Sequence, residues 1–345
     1  MSSATAMFTA MRGPHSLVPG LPSTFMSAVD GDGPALSELD RALIRILQLD
    51  GRRTFAALAR ELGVPEKTVR RRVVELIEGH VIHITTVSDP ALLGYQVAAM
   101  VGINVDGRRG LRALVGSLAE LPHVDYAVIT TGRYDALIEV LCRDMSELLT
   151  VIDEKLVGAP GVRTVEVFPY LQLHYQEPAW EAAQSKQIGA EGSARSALDA
   201  TDRRIMAILS DDGRLPFAVV GEQLGISESQ VRKRVARLLE SKTMRITAIA
   251  NPRSLGFETV TWVGIRSRPG QSIVELAETL TRIPSITYVA VTAGRFDIFA
   301  EAVCRGMDDV LRVVDSEIRT LTAVADTELL ICLDLYYRAV APLEP

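Results

Sequence analysis

The chain of 345 residues contains one long internal repeat. Residues 36–175 (the first copy) align with residues 198–337 (the second copy) at a constant shift and without an insertion, so that Asp40 falls on Asp202 and Cys142 on Cys304. Solenoid repeats are much shorter, at roughly 20–45 residues. Each copy is long enough to hold two small domains. The sequence therefore predicts a tandem duplication of a two-domain unit.

Each copy opens with a pattern typical of three helices. In the first copy, Leu43 and Leu47 recur at helical spacing, Thr54 is a suitable cap for a second helix, and Gly63 is a suitable end for it. A third helix follows Pro65, and the second copy repeats the arrangement. This order of helix, tight turn and helix is typical of a DNA reader that places its last helix in the major groove.

The predicted third helix carries basic and hydrogen-bonding side chains on the face that is not apolar. Arginine and lysine reach phosphates or guanine edges, and Ser, Thr and Gln hydrogen-bond to bases. A solvated charge run is the alternative interpretation, but the cluster recurs in both copies after a glycine-centred turn. The predicted DNA-binding residues are Lys67, Thr68, Arg70, Arg71, Arg72, Ser229, Gln230, Arg232, Lys233 and Arg234.

The position of charge along the chain supports this interpretation. The formal net charge is −6, so the whole chain is not a polycation, and any contact with DNA requires a local patch. Residues 37–87 hold nine Lys or Arg against seven Asp or Glu, and residues 199–249 hold the same numbers. The two predicted reader domains are therefore each locally basic in an acidic chain.

The rest of each copy alternates between strand and helix patterns. The order is strand, helix, strand, strand, helix, strand, which predicts a ferredoxin-like four-stranded antiparallel sheet with both helices on one face. The other face of such a sheet needs a cover. We expect the two sheets of one chain to pack against each other and to form an internal pseudo-dimer.

Several motifs together resemble the leucine-responsive regulator (Lrp/AsnC) family of transcription factors. They are the openings LSELDRALIRILQLDGR and LDATDRRIMAILSDDGR, the third-helix segments PEKTVRRRVVEL and SESQVRKRVARL, and the segments TTGRYDALIEV and TAGRFDIFAEA. The resemblance implies an α+β fold, with two winged-helix/helix-turn-helix DNA-binding domains alternating with two ferredoxin-like (βαββαβ) RAM domains. The chain departs from the family pattern in its duplication, because a usual member has one unit and pairs its RAM domains between two chains.

The resemblance also implies a small-molecule effector, an amino acid or a related metabolite, bound between neighbouring RAM domains near the Gly-x-Tyr-Asp turn. The residues that match this turn are Thr130, Thr131, Gly132, Tyr134 and Asp135 in the first copy, and Thr292, Gly294, Phe296 and Asp297 in the second. The first site keeps two hydroxyls that the second lacks, so we expect it to bind better. Alternatively, the glycines only form a hairpin turn whose backbone the aspartates bond.

The expected domain bounds follow from the repeat and the composition. We expect a disordered tail at 1–35, helix-turn-helix domains at 36–87 and 198–249, RAM domains at 88–175 and 250–340, and a flexible linker at 176–197. We expect neither a signal peptide nor a membrane helix, and only three cysteines occur. These features favour a bacterial cytoplasmic, nucleoid-associated protein.

Enzymatic motifs are missing from the sequence. It has no nucleophile elbow, phosphate-binding loop or dinucleotide fingerprint, and its five histidines lack metal-ligand spacing. We therefore expect no catalytic residue, no metal and no cofactor. The expected partners are double-stranded DNA, the effector and further copies of the chain in a homo-oligomer. Two alternatives remain open. One is a sirohaem decarboxylase, an enzyme that works as a pair of Lrp-like subunits, because a fused pair would look like this chain. The other is an assembly protein that does not read DNA.

Overall fold

The computed structural model describes residues 36–88, 90–107, 110–176, 198–250 and 255–337. The predicted tail and nearly all of the predicted linker lie outside these residues. The bounds of the domains therefore stay a prediction at those places.

The first copy contains five helices and five strands among its described residues. They are α1 Glu38–Leu49, α2 Phe55–Leu62, α3 Glu66–Glu78, β1 Ile82–Val87, β2 Val97–Val105, α4 Leu111–Ala119, β3 Val124–Thr130, β4 Ala136–Cys142, α5 Met145–Thr150 and β5 Val162–Gln176. A π-helical segment, Val151–Val157, continues α5.

The second copy repeats this order. Its elements are α6 Ala200–Asp211, α7 Phe217–Leu224, α8 Glu228–Glu240, β6 Arg245–Ala250, β7 Thr259–Ser267, α9 Ile273–Leu280, β8 Ile286–Thr292, β9 Ile298–Cys304, α10 Met307–Arg312 and β10 Val324–Tyr337. The expected alternation of helix-turn-helix and ferredoxin-like units, within an α+β fold, is confirmed.

Local sequence explains the helix ends. Ser37 caps α1 through a reciprocal capping box with Asp40, and Thr54 accepts a hydrogen bond from the backbone of Ala57 at the start of α2. Gly63 ends α2 in the left-handed conformation, with φ at 66°. The chain can therefore turn sharply into α3, as the sequence predicts.

The two helix-turn-helix units pack as one body. Strands β1 and β6 pair in an antiparallel two-stranded sheet, with Thr85 opposite Thr247. Each threonine hydroxyl also crosses to the other unit: that of Thr85 donates to the carbonyl of Ser210 at 2.7 Å, and that of Thr247 to the carbonyl of Gln48 at 2.6 Å. One hydrophobic core runs through both units. The sequence analysis overlooked these two strands.

The remaining eight strands form a closed barrel. Its order is β10-β3-β4-β2-β5-β8-β9-β7. The first half of β5 pairs with β2 of its own copy and the second half with β8 of the other copy, while β10 pairs with β7 and then with β3. The two sheets therefore face each other as expected, but they also exchange strand edges, which removes the unpaired edges of both.

The barrel separates three hydrophobic clusters. Helices α4 and α5 cover the outside of one sheet, and α9 and α10 cover the outside of the other. The interior is a third cluster of large side chains from both copies, which includes Trp262, Phe168, Phe299 and Tyr134. Among the described residues, no helix combines the length and the apolar character that crossing a membrane requires.

Candidate nucleic-acid interface and effector loops

The third helix of each unit buries one apolar face and exposes the other. Val69, Val73 and Leu76 of α3 are buried, as are the equivalent residues of α8, Val231, Val235 and Leu238. Lys67, Arg70 and Arg71 are exposed, and so are Ser229, Gln230, Arg232 and Lys233, while Thr68 is half-buried. Most of the predicted DNA-binding residues therefore share one solvent-facing surface on each helix.

The exposed arginines make only weak contacts within their own helix. Arg70 lies 3.1 Å from Glu66 and Arg71 lies 3.8 Å from Glu75, both one turn away. Arg232 pairs with Glu228 in the same way. Pairs of this kind on an exposed helix stabilise it by only about 0.3–0.5 kcal/mol. These guanidinium groups can therefore exchange their carboxylate partners for phosphates at little cost.

Arg72 and Arg234 have a different environment from the other predicted DNA-binding residues. Arg72 donates two hydrogen bonds to the fully buried carboxylate of Asp40, at 2.8 and 2.6 Å. Burial by itself raises the pKa of Asp40, but the hydrogen bonds from Arg72 and Ser37 outweigh it and lower that pKa below its ordinary value. Arg234 likewise pairs with the buried Asp202, at 2.8 Å. Both arginines fasten the recognition helix to the first helix of its unit.

Two further arginines, which the sequence analysis used only to align the copies, cross between the units. Arg52 donates to the carbonyls of Gly213 and Leu215, and its guanidinium lies 4.0 Å from the centre of the Phe217 ring. Arg214 makes the reciprocal contacts, with the carbonyl of Arg53 and the ring of Phe55. Burial lowers the pKa of both arginines below its usual value.

These crossed arginines connect the two recognition helices. Arg70 of α3 lies 4.7 Å from the centre of the Phe55 ring, which Arg214 also contacts, and Arg232 of α8 lies 5.6 Å from that of Phe217. The separation of α3 and α8 is therefore set by contacts inside one chain. The repeated Asp-Gly-Arg motif was the signal in the sequence for this arrangement.

The predicted effector loops lie at the junction of the two copies. Gly132 has φ at 101° and Gly294 has φ at 136°, values that favour glycine. A Cβ atom at Gly132 would lie 3.2 Å from the carbonyl oxygen of Leu329, and one at Gly294 would lie 3.0 Å from the Phe168 ring. Each loop therefore packs closely against the last strand of the other copy.

The side chains of these loops already have partners within the fold. The hydroxyls of Thr130 and Thr292 donate to the carbonyls of Tyr134 and Phe296. Asp135 accepts the backbone N–H of Val105 at 2.8 Å. Asp297 accepts the equivalent bond from Ser267, also at 2.8 Å. The two aspartates therefore join each hairpin to the end of a neighbouring strand, β2 or β7, rather than to the backbone of the turn itself.

The aromatic residues of the two loops lie inside the barrel. Tyr134 and Phe296 are 2% and 3% exposed. The Tyr134 hydroxyl donates to Glu166 at 2.6 Å, and burial together with this carboxylate raises the pKa of Tyr134 well above its usual value. Thr131 is exposed at the rim with Gly132, so these two residues carry the ligand-accessible part of the predicted first site.

Ion pairs that the sequence analysis did not identify close both loops. Arg133 of the first copy pairs with Glu328 of the second at 2.7 Å, and Arg295 of the second pairs with Glu166 of the first at 3.2 Å. The equivalent position of each glutamate in the repeat was visible in the sequence. What was not visible is that each pair forms between copies rather than within one.

Comparison with known proteins agrees with the two kinds of unit. Residues 36–77 and 198–239 match the AsnC-type helix-turn-helix domain, and residues 98–180 and 260–341 match the Lrp/AsnC ligand binding domain. An uncharacterized HTH-type transcriptional regulator of Pyrococcus abyssi is 39% identical over 132 residues, which are 38% of this chain and 83% of that relative. Regulatory protein AsnC of Escherichia coli is 28% identical over 138 residues, 40% of this chain and 91% of AsnC.

A solved structure resembles the chain over both copies. The siroheme decarboxylase NirDL superposes with a TM-score of 0.61 at 18% identity, covering 89% of this chain and 95% of that one. At this level of identity the likeness is one of fold. The matched domains make up most of the chain and occur in the same order twice. The chain therefore belongs to the Lrp/AsnC family of helix-turn-helix transcriptional regulators, with its DNA-binding and ligand-binding domains in tandem duplicate.

Proposed function

We propose that the chain is a sequence-specific DNA-binding regulator in which one polypeptide supplies both recognition helices of an operator complex. The observation that carries this proposal is the pair of exposed basic faces on α3 and α8, which the crossed contacts of Arg52 and Arg214 hold at a fixed separation. We assign base and phosphate contacts to Lys67, Thr68, Arg70 and Arg71 and to Ser229, Gln230, Arg232 and Lys233. Arg72 and Arg234 act by orienting the two helices.

The two faces differ in chemistry, which favours an asymmetric operator. The first helix begins Glu66-Lys67-Thr68 and the second Glu228-Ser229-Gln230. The carbonyl oxygen of the Gln230 side chain accepts the backbone N–H of Ser227, which orients the amide at the start of α8. A homodimer presents two identical faces to a palindrome, whereas this chain presents two different faces to its two half-sites.

The test is DNA binding by the full chain as a function of salt. Genomic fragments selected by the wild type are titrated by fluorescence anisotropy, and the same titration is made with Arg71→Ala and with Lys233→Ala. Each lost phosphate contact reduces the slope of log affinity against log salt by about 0.9. Unchanged affinity and slope in both variants would contradict the proposal and would favour an assembly protein that does not read DNA.

The effector part of the proposal concerns a small metabolite, such as an amino acid, that alters DNA affinity or assembly. The exposed Thr131 of the first loop corresponds to Ala293 of the second, so Thr131→Ala removes one of the two hydroxyls by which the loops differ. Calorimetry with the twenty amino acids on the wild type and on this variant tests the site. A ligand whose affinity Thr131→Ala leaves intact binds elsewhere.

We infer that the chain is not an enzyme and that it acts in the cytoplasm, on the nucleoid. A tetrapyrrole decarboxylase is the second candidate, because the fold is similar to that of NirDL over nearly the whole chain. The described residues that line the cavity in the barrel, of about 220 Å³, include Asp125 and Glu139 and, among these described residues, no Lys, Arg or His. This lining repels the carboxylates of a tetrapyrrole. Titration with sirohaem, followed by its visible absorbance, decides: a saturable spectral change would favour the decarboxylase.

A further inference from the structure

A cavity of about 220 Å³ is lined by residues of β2, β3, β4, β5 and β8 and does not include the Gly132 or Gly294 loops among its described lining residues. Its floor is polar and buried, and its mouth includes Leu171, which is 68% exposed. For comparison, a cavity of about 150 Å³ is large enough for benzene. The lining residues are Pro90, Ala91, Tyr95, Gln96, Val97, Ala98, Asp125, Glu139, Leu141, Tyr170, Leu171, Gln172, Leu173 and Tyr288.

The floor of this cavity holds two neighbouring carboxyl groups. Asp125 and Glu139 are 8% and 5% exposed, and burial raises the pKa of both above the ordinary values. The Tyr288 hydroxyl donates a hydrogen bond to Glu139. Two carboxyl groups held this close together favour a cationic partner. Within the part of the chain that the structure describes, no lysine, arginine or histidine lines the cavity.

Two buried polar atoms at this cavity make no hydrogen bond with any residue that the structure describes. They are Oδ1 of Asp125 and the hydroxyl of Tyr170. A buried polar atom without a partner destabilises the fold. A fold keeps such an atom at the floor of a cavity when a bound molecule supplies the missing donor.

The equivalent place in the other half of the barrel serves as an internal comparison. There Glu301 corresponds to Glu139, Thr287 to Asp125, and Cys332 to Tyr170. Glu301 accepts hydrogen bonds from the hydroxyls of Thr287, at 2.8 Å, and Tyr126, at 3.0 Å. Both carboxylate oxygens of Glu301 therefore have a hydrogen-bond donor, whereas the Asp125 and Glu139 pair contains an oxygen without one.

A second difference is a larger side chain at the equivalent place in the other half of the barrel. Trp262 stands where the first copy has Met100, and its indole N–H donates to the Tyr126 hydroxyl at 2.8 Å. Its ring also packs edge-on against Tyr126 and Tyr288, with centroids 5.7 and 5.3 Å apart. Among the described residues, the second buried carboxyl and its unpartnered oxygen therefore belong to one half, and duplication has let the two halves diverge at this place.

We propose that the cavity binds a small organic cation, which enters with an ammonium or guanidinium end first and donates to Asp125 and Glu139. The proposal deepens the effector part of the proposed function by naming a ligand class, but binding itself requires no DNA. Tyr170 and Tyr288 add aromatic rings beside the charge, and Val97, Leu141 and Leu173 line the path of an apolar stem. A ligand carboxylate near the floor is repelled, so an α-amino acid fits only with a basic side chain inserted.

Calorimetry on the full chain tests the proposal with three probes that share a four-carbon stem. They are n-butylammonium, n-butanol and pentanoate, so that one butyl stem carries a cationic, a neutral or an anionic head group. We expect binding of n-butylammonium alone. Equal binding of n-butanol would show an apolar cavity only, and no binding of the cation at millimolar concentration would overturn the proposal. Putrescine and L-lysine then distinguish a free diamine from a basic amino acid as the natural source of the cation.

Three variants locate the binding. Asp125→Asn is expected to weaken the binding of n-butylammonium at least tenfold. Ala91→Trp, at the exposed mouth of the cavity, is expected to block entry of the ligand without a change in the core. Thr287→Val changes the equivalent position in the filled half and serves as the control, with unchanged affinity. Thermal melts verify that each variant is folded. Retained affinity for n-butylammonium in both Asp125→Asn and Ala91→Trp would overturn the proposed site. Failure of DNA binding in the separate anisotropy titration would instead contradict the proposed function and would leave this site unaffected.

Discussion

Gly51 of the first copy donates its backbone N–H to the carbonyl of Ile246 in the second copy, at 2.8 Å. Gly213 makes the reciprocal bond to Ile84 at 2.7 Å. Together with the crossed arginines that follow each glycine, these bonds make the repeated Asp-Gly-Arg motif the clamp between the two DNA-binding units. The motif therefore sets how the two helix-turn-helix units lie relative to each other.

Gly51→Ala is expected to destabilise the chain by about 1–3 kcal/mol, as overpacking typically does. The new Cβ atom would lie 2.9 Å from Cγ2 of Ile84 and 3.0 Å from the backbone of Ile246. Urea unfolding of the full chain measures the effect. Gly110→Ala, where nothing lies within 4 Å, is the control and should change stability by less than about 0.5 kcal/mol. Equal stability of the two variants would argue against the clamp.

Arg72→Ala and Arg71→Ala are expected to separate folding from DNA binding. Loss of Arg72 leaves Asp40 buried without its cation, which should cost about 2–3 kcal/mol at neutral pH. Arg71 is 68% exposed, so its loss should cost less than about 0.5 kcal/mol and should act on DNA affinity. Urea unfolding and anisotropy are measured on both variants. A stable Arg72→Ala chain with weak DNA binding would return Arg72 to the DNA-contacting surface.

The stability of the chain is expected to fall as pH rises from about 4.5 to 7, because of Glu301. Burial raises the pKa of Glu301 to about 7 from the ordinary 4.5. In this window the folded state therefore binds more protons than the unfolded state, and each added pH unit favours unfolding. The difference corresponds to at most about 3 kcal/mol, at 1.36 kcal/mol per unit.

Glu301→Gln tests this pH dependence. The amide keeps the acceptor for Tyr126 and does not ionise, so the variant should lose the share of the slope that Glu301 contributes. Burial acts on the pKa of Asp125 and Glu139 in the same direction, so some slope should remain. Chemical unfolding at pH 4.5, 6 and 8 gives the comparison. An unchanged slope in the variant would assign the effect to other groups.

Chains are expected to associate further through the outer faces of α5 and α10. Leu149 and Leu311 occupy equivalent positions there and are 66% and 64% exposed, next to Met145 and Met307, each 58% exposed. The double variant Leu149→Lys, Leu311→Lys should shift the chain towards its monomer of 37.5 kDa in light scattering. Leu49→Lys, at 67% exposure on the DNA-binding unit, is the matched control. A monomeric wild type would contradict the prediction.

The sequence predicted those features that depend on local pattern. Helical spacing located the three helices of each unit, and the glycine at the end of α2 located the sharp turn before α3. The change to strand patterns after Pro90 identified the ferredoxin-like order. In each case the residues that determine the structure lie within a few positions of one another.

Features that depend on contacts between the copies were not predictable in the same way. Arg133 and Glu328 are 195 positions apart, and nothing in the neighbourhood of either indicates the other. Asp125 and Glu139 lie on adjacent strands, which the sequence predicts. Their position beside a cavity and the contact of Glu139 with Tyr288 depend on the other copy. The predicted DNA-binding set included Arg72 because its charge was visible and its buried partner was not.

The exchange of strands in the barrel has a consequence for behaviour at low abundance. A pair of separate subunits comes apart on dilution, because its stability depends on subunit concentration. Here β5 and β10 each pair with strands of both copies, and both copies belong to one polypeptide. Dilution therefore leaves the pairing of the two recognition helices unchanged. A chain present in only a few copies therefore keeps its two helix-turn-helix units together.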